Sequence, residues 1–117
     1  MAKTLFILND PPYGTERSYN AVRLAGSLAS VADEEVKVFF IGDAVSCAKS
    51  GQKVPPGFYN LQLMIGKIVH AGAPMGLCGA CMDARGITDA ELVAGTRRST
   101  IAELSSWVQW ADKVLVF

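Results

Sequence analysis

Three short, unbroken apolar runs stand far apart in this chain: TLFIL at residues 4–8, VKVFFI at 36–41 and VLVF at 114–117. Each is too short for a stable helix and apolar on both alternating faces, which is the pattern of a strand buried on both sides of a sheet. The segments between them change to a helical period. From Gly14 and Thr15 to about Val31, the residues Val22, Ala25 and Ala29 recur at helical spacing, with Glu16 favourably placed in the first turn. From Phe58 to about Ala71, Leu61, Met64, Ile65 and Ile68 fall on one side. Thr100 and Glu103 have the spacing of a capping box ahead of Leu104, Trp107, Val108 and Ala111, so a last helix is expected to end near Asp112. A weaker strand is predicted at 73–77 and a short helix at 44–49 with Asp43 as its cap. The prolines of SGQKVPPG, residues 50–57, make that stretch a surface loop.

Strands that alternate with helices pair in parallel through right-handed crossovers. The expected architecture is an open, doubly wound, mostly parallel α/β sheet of four to five strands, flavodoxin-like, with helices on both faces. At 117 residues the chain suits one domain, residues 1–117. Half of it is hydrophobic and only 19% charged, so apolar surface is left over after one core is filled and a homo-oligomer is expected. Eleven basic residues offset eleven acidic ones, leaving no net field to draw nucleic acid or an anionic membrane. No apolar run approaches the roughly 20 residues that span a bilayer, and MAKTLFILND lacks the apolar core of a signal peptide, so a cytoplasmic location is expected. There, three cysteines are expected to persist as thiols.

In such sheets the ligand crevice lies beyond the carboxyl ends of the strands. That rule gathers the loop at 9–14, the Gly42 and Asp43 turn, and the stretch MGLCGACMDARG at 75–86. Cys78 there follows the third strand and opens a turn of helix over 79–85, where unpaired N–H groups and the helix dipole favour thiolate and are expected to lower its pKa below about 8.5. Arg85 adds a cation if the chain folds back, and Gly76 and Gly79 leave room for an incoming group. The Cys78 and Cys81 pair admits other readings. As half of a zinc site it needs two more ligands, and only Cys47 and His70 remain, on separate predicted elements. As a dithiol it exchanges with a disulfide. As packing, both cysteines are simply small buried residues, and the chain is then a non-enzymatic oligomeric module whose crevice binds a small ligand or partner.

Elsewhere the ordinary readings hold. Cys47 is expected in the core, Asp10 and Asp43 as turn or cap residues, His70 near a helix C-terminus, and Arg97 and Arg98 in a solvated turn.

The ordered set LCGACMDARGI, GDAVSCAKSGQ upstream of it, the opening TLFILNDPPYGTERSYNAVRLA and the closing ELSSWVQWADKVLVF resembles the DsrE/DsrF-like family of small sulfur-relay proteins. The resemblance implies that a cysteine at the end of the third strand carries sulfur as a persulfide. Through the spacing C-x6-R-G, it maps that cysteine onto Cys78 and the Arg-Gly pair onto Arg85 and Gly86. It further implies a homotrimer or homohexamer, sulfur donor and acceptor proteins as partners, and no metal or organic cofactor. Cys81 departs from the simple relay pattern and leaves room for a resolving thiol.

Overall fold

The computed structural model describes residues 1–117. Five strands form one sheet: β1 (Ala2–Leu8), β2 (Glu34–Phe40), β3 (Met75–Cys78), β4 (Thr96–Ser99) and β5 (Lys113–Val116), in the spatial order β4-β3-β2-β1-β5 and all parallel. The helices between them are α1 (Arg17–Ala29), α2 (Leu61–His70), α3 (Gly79–Ala84) and α4 (Ile101–Trp110), with 3-10 turns at Gly42–Ala48 and Asp89–Glu91. The three crossovers from β1 to β4 step in one direction across the sheet. The last returns through α4 to lay β5 beside β1.

That path explains the two unequal cores. Alternate residues of a strand face opposite sides. Phe6, Leu8, Val36, Val38, Phe40, Met75 and Leu77 face Ala21, Val22 and Ala25 of α1 and Leu61, Ile65 and Ile68 of α2. The other face buries Leu5, Phe39, Gly76 and Ser99 of the strands, beneath Leu104 and Trp107 of α4. The Trp107 ring meets Phe39 edge-on at 6.0 Å. Because one helix spans this face, Ile101, Val108, Val114 and Val116 remain exposed.

Several expectations need correction. Residues 96–99 form the edge strand β4, where a solvated turn holding Arg97 and Arg98 was expected. Its hydrogen-bonded register against β3 sets Leu77 opposite Arg98 and Cys78 opposite Ser99. An edge strand needs no apolar run, and charged side chains are what keep such an edge from pairing further. Asp43 does not cap the segment after β2, which is a 3-10 helix rather than an α-helix. α2 starts at Leu61 rather than Phe58, because the Asn60 side chain accepts from the Leu63 N–H and fixes the start there. Thr100 does cap α4 through the Glu103 N–H at 3.1 Å, but the Glu103 carboxylate turns away to Arg97 and Ser99. The reciprocal capping box belongs instead to Thr88 and Glu91.

Candidate functional site

The site is built at the carboxyl ends of β2 and β3. Cys78 ends β3 and is the N-cap of α3, so its Sγ accepts from the Cys81 N–H at 3.4 Å. The Cys81 thiol donates to the same sulfur, at an Sγ to Sγ distance of 2.7 Å. A disulfide measures about 2.05 Å, so these free thiols stand close to bonding separation, and an oxidant that takes two electrons from them would close the bond. The Cys81 sulfur in turn accepts from the Gly42 N–H at 3.2 Å, which ties it to the loop after β2. Both sulfurs are half-buried.

Arg85 frames this pair without touching either sulfur by a hydrogen bond. Its Nε and Nη2 donate to Asp43 Oδ1 at 3.0 and 2.8 Å, and its Nη1 donates to the Cys81 carbonyl at 3.0 Å. The Arg85 fork thus ties the Gly42–Asp43 turn to the first turn of α3. Its charge is committed to the Asp43 carboxylate.

The cation beside the cysteine is Arg98, which the sequence reading left in solvent. Its guanidinium grips both Asp83 oxygens at 2.9 and 2.7 Å and reaches Asp89 at 3.8 Å. It lies directly over Gly79, where an added methyl would stand 2.8 Å from Nε and 3.0 Å from Cζ. Only glycine next to Cys78 leaves that space. Arg98 is held in its charged form first by Asp83 and then, more weakly, by Asp89 and Cys78, while Asp83 is held below the usual carboxylate range by Arg98.

The expectation of a lowered Cys78 pKa is overturned. Burial raises it, and the Cys81 thiol raises it further, because two sulfurs in contact do not both ionise. The backbone N–H groups of Cys81 and Ala80 pull the other way and do not outweigh these effects.

Cys47 lies in the core, fully buried, as expected. Its Sγ donates to the Asp10 carbonyl at 3.4 Å, and burial pushes the thiol up to about 12. Full burial and the raised pKa keep it a protonated thiol. The loop at 50–57 contributes one anchor that composition did not reveal. Gln52 donates through Nε2 to the Cys47 and Lys49 carbonyls, while its Oε1 accepts from the Tyr13 hydroxyl at 2.6 Å. Asp10 binds Thr15 and Arg17, and His70 ends α2. No three His, Cys, Asp or Glu side chains are grouped to hold a metal ion. A cavity of about 340 Å³ lined by Glu34, Lys37, Pro74 and Trp110 lies at the amino ends of β2 and β3, at the far end of the sheet from the sulfurs.

The ordered motifs agree with a comparison to known families: the DsrE/DsrF-like family model matches residues 2–117. The chain belongs to the DsrE/DsrF-like family. Within it, protein YchN of Escherichia coli is 37% identical over the full length of both chains. The crystal structure of that protein superposes with a TM-score of 0.94, again covering all of both chains. Protein MK0008 of Methanopyrus kandleri is 36% identical over 95% of this chain and 90% of its own. The DsrE-like fold reaches further: protein MTH1491 of Methanobacterium thermoautotrophicum shares 11% identity with a TM-score of 0.76, covering 98% of this chain and 99% of that one. Sulfur-relay chemistry is the family's theme, and no helix here is long and apolar enough to cross a membrane.

Proposed function

We propose that this protein carries sulfane sulfur as a persulfide on Cys78. The supporting observation is the sulfur at the end of β3, half-exposed and accepting from both the N–H and the thiol of Cys81. In the step, the Cys78 thiolate attacks the outer sulfur of a donor persulfide, forms the new S–S bond and releases the donor thiolate. Cys81 supplies a proton at hydrogen-bond distance from the sulfur where negative charge resides. Arg98 adds a cation one residue away, and Arg85 positions the turn that holds Cys81. An acceptor thiol then takes the sulfur by the reverse chemistry. The donor and acceptor are cytoplasmic thiol proteins, and the carrier works as a homo-oligomer whose contact face includes the exposed Val108, Val114 and Val116 beside α4.

The test uses reduced protein, inorganic polysulfide and intact mass. Cys81→Ser is expected to gain one sulfur per chain and Cys78→Ser none. Equal uptake by both variants, or none by either, contradicts carriage on Cys78. The 2.7 Å contact also favours a second reading, a dithiol that cycles through a Cys78–Cys81 disulfide.

A further inference from the structure

We propose that Cys81 discharges the Cys78 persulfide within the same chain, so that the protein releases its cargo as hydrogen sulfide in addition to handing it on. The inference rests on the carrier reading and deepens it by naming a product. Its basis is where the second sulfur stands. Cys81 Sγ touches Cys78 Sγ itself at 2.7 Å, and the Cys81 N–H occupies the same side of that atom. A sulfur added to Cys78 must therefore extend away from Cys81. Cys81 then stands against the inner sulfur, the atom that a displacement releasing hydrosulfide must attack.

Cys81 is also held for the task from two directions. The Gly42 N–H donates to its sulfur at 3.2 Å and fixes its position. The Arg85 Nη1 holds its carbonyl at 3.0 Å, while the Arg85 fork on Asp43 locks the Gly42 turn in place. A thiol that only filled space would need neither.

The step balances. Cys81 thiolate attacks the inner sulfur of Cys78–S–SH, the Cys78–Cys81 bond forms, and the inner-to-outer S–S bond breaks with its electron pair leaving on hydrosulfide. The sulfane sulfur is reduced to sulfide by two electrons, and the two cysteine thiols are oxidised to one disulfide. Another turnover requires an external dithiol to reduce that disulfide by exchange. The reactions on either side of this protein are thus a persulfide-generating step, and a step that consumes sulfide.

The experiment loads reduced protein with a limiting amount of inorganic polysulfide and follows intact mass and free sulfide together, for the wild type, Cys81→Ser, Cys81→Ala and Cys78→Ser. The wild type is expected to pass through the one-sulfur adduct to a species two protons lighter than the reduced chain, releasing one sulfide per adduct lost. Both Cys81 variants are expected to hold the adduct at least about tenfold longer, since the attacking thiol is already in place in the wild type. Cys78→Ser should form neither adduct nor disulfide. A wild type that keeps its adduct as long as the Cys81 variants overturns the discharge and leaves carriage standing. Failure of the wild type and both Cys81 variants to take up sulfur overturns carriage and discharge alike.

Discussion

Gly95, just before the edge strand that delivers Arg98, gives the sharpest structural prediction. Its φ is +89°, and a methyl built there would lie 2.1 Å from Val69 Cγ1 at the end of α2. Gly95→Ala therefore meets two separate penalties. Left-handed backbone costs an alanine about 1–2 kcal/mol. Carbon atoms rest about 3.5–4.0 Å apart, so the overlap exceeds an ångström, and Val69 is confined in its rotamer by the helix. Overpacking of that kind costs about 1–3 kcal/mol, partly offset by the smaller unfolded-state entropy of alanine at about 0.4–1 kcal/mol. The net expectation is a loss of about 2–4 kcal/mol, read in urea as a midpoint lower by about 1–2 M at unchanged slope. Adding Val69→Ala should recover the steric share alone, with a coupling of about 1 kcal/mol or more in a double-mutant cycle. Gly95→Ala within about 0.5 kcal/mol of wild type, or strict additivity with Val69→Ala, would refute the reasoning.

Other expectations follow from the same structure. Burial pushes the Cys47 thiol from 9.0 to about 12. The unfolded chain thus releases this proton from pH 9 upward while the folded chain retains it, and the wild type should lose about 1.4 kcal/mol per pH unit above 9 relative to Cys47→Ala, as followed by urea unfolding at pH 8 to 11. A flat difference between the two would sink the assignment. Glu103 is held below the usual carboxylate range first by Arg97 and then by Ser99. Its stabilising effect is present above the unfolded value and fades as pH falls through the folded one, so Glu103→Gln should cost no more than about 1 kcal/mol at pH 7 and nothing once the wild-type carboxylate is protonated. If the proposed homo-oligomer forms through this face, replacing the exposed Val108 and Val116 by lysine should lower its sedimentation coefficient, whereas an unchanged coefficient would contradict that contact face.

What the sequence disclosed follows from the physics of each signal. β1 and β2 were legible because a strand buried on both faces must be an apolar run, and α1, α2 and α4 because each buries one stripe. The run VLVF also marked a strand, but β5 lies at the sheet edge with Val114 and Val116 exposed, not buried on both faces as the run implied. The thiol pair and its place after the third strand were legible from spacing. β4 was not, because its residues Thr96, Arg97, Arg98 and Ser99 sit on the sheet edge and carry no hydrophobic signature. With that strand hidden, Arg98 could not be placed beside Cys78, for the neighbourhood arises from register between positions 20 apart in the chain. The only local trace was Gly79, the residue whose missing side chain makes room for the guanidinium. The shift of the Cys78 thiol was misread for a related reason. A helix of six residues offers N–H groups to the sulfur, but burial and a second thiol in contact prevail, and neither is visible in a string of letters.

The central claim concerns which sulfur receives the cargo, and tandem mass spectrometry of the polysulfide-loaded Cys81→Ser chain, alkylated before digestion, tests it most directly. The extra sulfur is predicted on the fragment bearing Cys78, with Cys47 unmodified. Extra sulfur on the Cys47 fragment, or on no cysteine at all, would contradict the account.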